Sequence, residues 1–331
     1  MGSLAGFSGG IEIISAIIYK INSLIMALLM LTGGITSPSQ DDRIRTLGET
    51  EMMFVAWGDP QLCNYNPERE ANYVTAVDDL GLSLSKIDAL TIVGDIAENG
   101  FESEYNSVAD DLIDLGDKIQ NYVMVTGNHD IRLREYEQST ERFYAFANSL
   151  NSPENAMTNI YYTYEVNGYT FIVMGSDEMR FEDAYISDAQ LTWLDETLAE
   201  VTADGKPAFV LCHYPLKDTH GLPNTWGDSL WEAGSIGEQT QQVFDILNQY
   251  NNVFFITGHL HTSIGQYTYE ELGNVHGINV PSIGIVSKDG DYNIAGCGVI
   301  FEVYEDKVIA RARDFVNGVY FPDYQVTYEL V

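Results

Sequence analysis

Five short clusters of chemistry-bearing residues punctuate the chain, each directly after a run of apolar residues. They are Gly58-Asp59-Pro60-Gln61, Gly94-Asp95-Ile96-Ala97-Glu98, Gly127-Asn128-His129-Asp130, Cys212-His213-Tyr214-Pro215 and Gly258-His259-Leu260-His261. Of six histidines in all, four (129, 213, 259 and 261) fall in these clusters. Scattered core or surface histidines would not segregate in this way. Imidazole with carboxylate and amide oxygens suits Zn, Fe or Mn, and thiolate is absent from the clusters. A carboxylate can bridge two cations, and a pair roughly 3.5–4 Å apart can clamp the oxygens of a phosphoryl group during in-line attack. A lone Gly-Asp or His-x-His is often purely structural; the ordered set of five carries the argument. No P-loop and no Ser/His/Asp nucleophile arrangement is visible.

The elements that must position these clusters can be read from the same rows. The preceding runs are Met53–Trp57, Ala89–Val93, Tyr122–Val125, Ala208–Leu211 and Val253–Thr257, with a further run at Thr170–Met174. They are dense in Val, Ile, Phe and Met with little alternation, as strands covered on both faces are. Tyr105–Leu115, Ser187–Val201 and Gln239–Tyr250 have helical spacing, and Ser187 with Gln190 has the spacing of a capping box. Gly298–Tyr304, Lys307–Asp314 and Tyr324–Val331 read as a β tail. Strands alternating with helices predict an α/β domain with layered sheets. Ligands in such sheets bind beyond the carboxyl ends of the strands, so the five loops are expected to converge.

As a set, the clusters resemble the calcineurin-like metallophosphoesterase superfamily, whose pattern is D-x-H, G-D-x-x-[D/E], G-N-H-[D/E], a lone His and G-H-x-H. The resemblance runs from about Met52 to Asp314. Ile186–Leu194 and Ala310–Phe315 look like the connecting segments of its secreted members. It implies a four-layer αββα sandwich, two mixed β-sheets flanked by helices, with the metal site at the strand C-terminal ends. It also implies two divalent or trivalent ions (Mn, Zn or Fe) and hydrolysis of phosphate mono- or diesters by in-line attack of a hydroxide held on the binuclear centre. By position, Asp59 and His261 hold the first metal, Asn128, His213 and His259 the second, and Asp95 bridges. His129 contacts the phosphate or protonates the leaving oxygen. Glu98 takes the place of the acid that orients His129, with Asp130 as the competing candidate.

Two departures stand out. Gln61 replaces the usual histidine of the first motif; its amide oxygen either ligates a looser or harder first metal or touches only a metal-bound water. Glu98 stands where purple acid phosphatases place a metal-binding tyrosine, so no tyrosinate–iron colour is expected. The alternative to an enzyme is a non-catalytic metal-binding relative acting as an extracytoplasmic binding module, its first site empty. A membrane-anchored structural protein is a further rival.

The chain has 331 residues, enough for one large domain or two ordinary ones, and a 45% hydrophobic fraction that can build a core. With 49 Asp+Glu against 16 Lys+Arg, the net charge of -33 repels long polyanions. Long nucleic acid is therefore not an expected partner. A small phosphorylated substrate remains compatible, because bound cations reverse the local potential. Cys63, Cys212 and Cys297 form no CxxC pair. Residues 1–36 read as a signal peptide or membrane anchor. Lys20 precedes an apolar stretch and small residues follow, although Glu12 and the missing A-x-A site depart from an export signal. A buried helix is the remaining reading of this stretch. The expectation is a secreted or extracytoplasmic protein, membrane-anchored if the segment is retained. A linker follows over 37–50, then a catalytic domain over 51–331. Within it, the loop Lys217–Gly237 holds His220, Trp226 and Trp231, either to cover the site and stack on a ring or to pack the loop itself. Arg132 and Arg134 are placed to meet phosphate or to sit at a solvated helix end.

Overall fold

A computed structural model describes residues 50–83, 87–226 and 234–331. The segment 1–36 and most of the linker lie outside the described residues, as does Trp231. Among the described residues, no helix is long and apolar enough to cross a membrane.

In chain order the elements are β1 (Met52–Trp57), α1 (Pro67–Ser83), β2 (Ala89–Val93), α2 (Glu102–Ile113), β3 (Tyr122–Val125), α3 (Asn128–Ile131), α4 (Tyr136–Leu150), β4 (Tyr162–Val166) and β5 (Tyr169–Val173). There follow α5 (Asp188–Val201), β6 (Ala208–Leu211), α6 (Thr240–Leu247), β7 (Val253–Thr257), β8 (Tyr269–Leu272), β9 (Val275–Asn279), β10 (Cys297–Val303), β11 (Lys307–Asp314) and β12 (Val319–Glu329).

These strands form two sheets of six, ordered β12-β11-β10-β1-β2-β3 and β4-β5-β6-β7-β9-β8. Both are mixed. β1, β2 and β3 run parallel, and β10 joins β1 antiparallel. In the second sheet β5, β6, β7 and β9 are parallel, while β4 and β8 close the edges antiparallel. Parallel pairing puts the carboxyl ends of β1, β2 and β3 at one end of their sheet, and those of β6 and β7 at one end of theirs. The five clusters follow those five strands.

The absence of alternation in β1 has a direct cause: all six of its residues are buried, because each face meets a different layer. Phe54 faces the other sheet. Its ring stacks on Phe301 at 4.5 Å and meets Phe209 and Phe171 edge-on at 4.8 and 4.9 Å. Trp57 faces outward, 6.3 Å from the Tyr73 ring of α1. On the second sheet's outer face, Ile172, Val210 and Phe255 pack against Leu191, Leu194 and Leu198 of α5 and Val243 and Leu247 of α6. Helices, sheet, sheet and helices make the four expected layers. Truncating Phe54 to Ala would cost about 3–5 kcal/mol, the usual range for a buried Phe.

The cap of α5 departs from the expected box in a useful way. Ser187 Oγ accepts the Gln190 backbone N–H at 3.2 Å, as a capping serine should. The Gln190 side chain does not return to Ser187. It holds both backbone groups of Gly175 (3.2 and 2.9 Å) and donates to Asp177 at 2.7 Å. Asp177 in turn accepts the Ser187 N–H at 2.8 Å. These bonds tie down both ends of the 175–187 segment, which carries Glu182 to the site.

Candidate metal centre

The loops that leave β1 and β2 continue pairing beyond their strands. Asp59 N–H donates to Gly94 O at 3.2 Å, Gln61 N–H to Asp95 O at 2.8 Å and Leu62 N–H to Ile96 O at 3.2 Å. Asp59, Gln61, Asp95, His259 and His261 all take left-handed backbone, with φ of 51°, 42°, 50°, 71° and 52°. That conformation turns each side chain away from the strand's alternating pattern. Two motif glycines make the room. A Cβ on Gly94 would lie 2.4 Å from His213 Nδ1, and one on Gly127 would lie 2.1 Å from Asp95 Oδ1.

Two groups of potential ligand atoms result. Asp95, His213 and His259 offer atoms within 4.8 Å of one another, and so do Asp59, Asp95 and His261. Asp95 belongs to both. In the first group the protons are already committed elsewhere. His213 Nδ1 lies 2.8 Å from the Val93 carbonyl, and His259 Nε2 lies 3.0 Å from the Glu182 carbonyl, so each donates there. The amide nitrogen of Asn128 donates to Phe181 O (3.0 Å) and Glu182 Oε2 (3.1 Å), which fixes its Oδ1 inward. His213 Nε2 then faces His259 Nδ1 at 3.0 Å, Asn128 Oδ1 at 3.2 Å and Asp95 Oδ2 at 3.4 Å. With both rings neutral, four lone-pair atoms converge with no donor among them, an arrangement that a cation satisfies and that a single shared proton satisfies in its place. Burial lowers the His213 pKa, but the charge of Asp95 outweighs it and lifts the value to about 9. Burial and the neighbouring His213 push His259 well down. The pair therefore draws one positive charge between its rings.

In the second group His261 Nε2 stands 3.1 Å from Asp59 Oδ1, and the Asp59 carboxylate also accepts the His259 N–H at 3.2 and 3.3 Å. Gln61 is 2% exposed. Its side-chain oxygen is buried with no hydrogen-bond partner. The residues present thus fit a pair of cations. Their nitrogen and oxygen donors suit Zn, Mn or Fe.

The residues around these groups separate into roles. His129 is partly open to solvent, its side chain 12% exposed. Its Nδ1–H donates to the Glu98 carbonyl at 2.8 Å, and a Glu98 carboxylate oxygen lies 3.3 Å from the same nitrogen. Glu98 is itself paired with Arg69 of α1, which donates to the Gln61 carbonyl at 2.9 Å. Burial would raise the Glu98 pKa, but its bonds to His129 and Arg69 bring it down to about 2. Asp130 points the other way. It accepts the backbone N–H of Gly127 (2.9 Å), Ala97 (3.1 Å) and Ile96 (3.3 Å) and the Tyr105 hydroxyl (3.1 Å), binding the second and third loops together. Burial, and the charge of Asp95 after it, push its carboxyl up to about 7.

A family comparison finds the calcineurin-like phosphoesterase model over residues 52–263. The chain belongs to that family. The calcineurin-like fold also appears in solved structures. A dimetal phosphatase from Danio rerio is similar with a TM-score of 0.59 at 13% identity, covering 86% of this chain and 100% of that one. A purple acid phosphatase from yellow lupin (Lupinus luteus) seeds matches with 0.59 at 16% identity, over 84% of this chain and 53% of that one. GAP50, the anchor in the inner membrane complex of Plasmodium, matches with 0.56 at 11% identity, over 85% and 89%. Identities this low show the fold alone. A comparison with curated proteins finds no match. Family membership and the two ligand groups make this calcineurin-like chain a metal-dependent phosphoesterase in general terms.

All ten residues singled out in the sequence lie in or beside this centre. Three others that support it, Glu182, Arg69 and Asn279, carry no mark in the sequence, and Trp226 of the expected covering loop joins them. Glu182 accepts the Arg132 Nη1–H at 3.1 Å besides its bonds to Asn128, and nothing in its surroundings announced it. Trp226 stacks on His259 at 4.4 Å, so the covering loop packs against a ligand. Arg69 stands on a helix that the sequence reading did not mark. Asn279 closes β9 and donates to Gly258 O at 2.6 Å, a strand-end Asn like Asn128.

Proposed function

We propose that the chain hydrolyses phosphate esters at a binuclear centre. Asp59, Gln61, Asp95 and His261 would hold one cation, and Asp95, Asn128, His213 and His259 the other. The single observation behind this reading is the convergence of four ligand atoms on one point, joined through Asp95 to a second group. When bound, such a pair supplies charge neutralisation at the phosphoryl oxygens and brings the pKa of water toward neutrality.

The chain's own residues supply position and protons. Asp95 Oδ1 accepts the His129 N–H at 2.9 Å, which fixes the start of α3 against the second loop. With Nδ1–H committed to Glu98, His129 presents Nε2, 3.9 Å from Asp95 Oδ2, at the open side of the site. A hydroxide forms the new bond to phosphorus in line with the ester bond that breaks. The departing oxygen takes a proton from His129 Nε2. Glu98, held as a carboxylate, favours the protonated imidazole that this step needs. The substrate is a small phosphorylated molecule, mono- or diester, since the charge of -33 opposes long polyanions. An extracytoplasmic location belongs to the same proposal, and N-terminal sequencing of the mature chain tests it.

The deciding experiment loads the protein with Mn, Zn or Fe and measures metal per chain beside turnover of p-nitrophenyl phosphate and its bis-ester. Two metals with turnover that Asn128→Ala and His129→Ala abolish support the reading. Full occupancy without turnover of any ester would overturn it in favour of the non-catalytic binding module.

A further inference from the structure

Most ligands are almost fully buried; the His261 side chain is 24% exposed, and on the other side the site opens to solvent at His129, 12% exposed. Beside that opening lies an unusual surface for so acidic a chain. Phe101, Leu133, Met179 and Phe181 are 39, 52, 49 and 59% exposed. They stand on the loops that follow β2, β3 and β5, the first two of which carry Asp95 and Asn128. Other large apolar side chains are exposed too, Tyr65, Leu82 and Ile113 among them, but apolar groups gathered beside a catalytic opening mark a binding surface more often than isolated ones do. Contacts link this surface to the chemistry. Arg132 Nη1 donates to Glu182 Oε1 at 3.1 Å, and the same guanidinium lies over the Phe181 ring at 5.0 Å. The Phe181 carbonyl holds Asn128. Arg134 lies over Phe101 at 4.8 Å. Trp226 adds an aromatic face on His259, whose Nε2–H reaches the residue next to Phe181. An ester group leaving from the His129 side would therefore emerge onto aromatic rings capped by two arginines.

We infer that the substrates are phosphate esters with an apolar ester group, an alkyl chain or an aryl ring, seated on Phe181 and Phe101 as a single molecule in solution. This rests on the phosphoesterase reading above and names its substrate class. The arginines suit the anionic phosphate end, and the rings suit the apolar end.

The test uses the full chain loaded with metal. Normal alkyl phosphates and alkyl p-nitrophenyl phosphates from one to eight carbons are compared below their aggregation concentration. A buried methylene is worth about 0.8 kcal/mol, or roughly fourfold, and a chain with one side in water about half that, so kcat/KM should rise about twofold per methylene. In Phe181→Ser the slope should flatten, and in Phe101→Ser it should fall; the slope is the readout, whatever the absolute rate. A flat wild-type slope with methyl esters turned over overturns the inference and leaves the phosphoesterase reading standing. So does a slope unchanged in the double variant. A gain seen only when the esters are mixed into phosphatidylcholine vesicles overturns it in favour of a membrane surface. Failure to hydrolyse any member of either series overturns both.

Discussion

Replacing Gly127 by Ala adds one methyl group and removes no ligand, which makes it a clean probe of the shared carboxylate. The backbone at Gly127 (φ −103°, ψ 179°) is open to alanine, so no conformational strain accompanies the change. The new Cβ would stand 2.1 Å from Asp95 Oδ1 and 2.3 Å from Asp95 N, where real contacts do not fall below 3.0 Å. Asp95 is 1% exposed and has no free space to retreat into. Either its carboxylate or the loop bearing Asn128 must shift by about 1 Å, a misplacement of the kind that costs on the order of a hundredfold in rate. Overpacking of this type costs about 1–3 kcal/mol in stability. For a domain of this size that lowers the thermal midpoint by about 2–12 °C. The assay measures metal per chain, kcat/KM on p-nitrophenyl phosphate and the melting midpoint. The expected result is a rate loss of about a hundredfold or more with fewer than two metals retained. A variant with two metals and a rate within twofold of the parent would show that the two groups do not depend on one rigid Asp95.

Four further expectations concern the centre and the acidic helix α2. Chelation should abolish hydrolysis and lower the melting midpoint, since metal at a hundredfold over its Kd contributes about 2.7 kcal/mol to the folded state; an unchanged midpoint would argue against occupancy of the buried groups. Glu98→Gln should lower kcat about 10–100-fold with little loss of stability, the usual scale for a group that orients a working histidine. Asp130→Asn should instead destabilise by about 2–4 kcal/mol, because it strands backbone amides that the second carboxylate oxygen now accepts; the reverse pattern would exchange the two roles. Finally, burial and then the charges of Glu70, Asp114, Asp110 and Asp78 raise Asp111 to about 6. A carboxyl raised in the folded state contributes stability below its unfolded pKa of about 4, and that contribution is lost as pH rises through about 6. Asp111→Asn should therefore stabilise at pH 7 and not at pH 4, by on the order of 1 kcal/mol after screening of a half-exposed group. Melting curves at the two pH values decide it.

The strands behind the ligands were legible because burial on both faces leaves an uninterrupted apolar run, as in Ala89–Val93. Edge strands left weaker marks. β8 reads Tyr-Glu-Glu-Leu and has no buried residue, so nothing in its composition separates it from a turn. α1 and α4 did carry a signal. Tyr73, Ala76, Val77 and Leu80 are buried at helical spacing. In α4 the stripe of Phe143, Phe146 and Ala147 is extended by Ser139 and Thr140, polar residues that hydrophobicity alone passes over. The ligands could be found because His, Asp and Asn after a glycine have few packing reasons to be there. Glu182 could not, since its place depends on how the 175–187 segment is pinned by Gln190 and Asp177, a tertiary fact with no local pattern.

The backbone of the site explains why its motifs are so short and so placed. Five residues with left-handed φ carry or flank the ligand atoms, and none of them is glycine. Each such residue costs about 1 kcal/mol or more, so together they consume on the order of 5 kcal/mol, comparable with the whole margin of a typical fold. A cost of that size persists only where the surroundings over-determine the conformation. Here they do. Asp59 and Gln61 are held by successive hydrogen bonds to Gly94 and Asp95, and the Asp59 carbonyl accepts the Ser282 hydroxyl at 2.7 Å. The loop of His259 is held by Asn279 through the Gly258 carbonyl. The strand ends supply rigid posts, and after β1, β2 and β7 a left-handed residue swings its side chain toward the neighbouring post. This also bears on Gln61. Its backbone is locked to Asp95 as firmly as that of Asp59 is to Gly94, so its side-chain oxygen is delivered to a buried position without a partner. Leaving that oxygen unsatisfied costs about 1–3 kcal/mol. A cation beside Asp59 and His261, or a water held on that cation, removes the cost, so the Gln61 amide oxygen is placed to serve the first site either way.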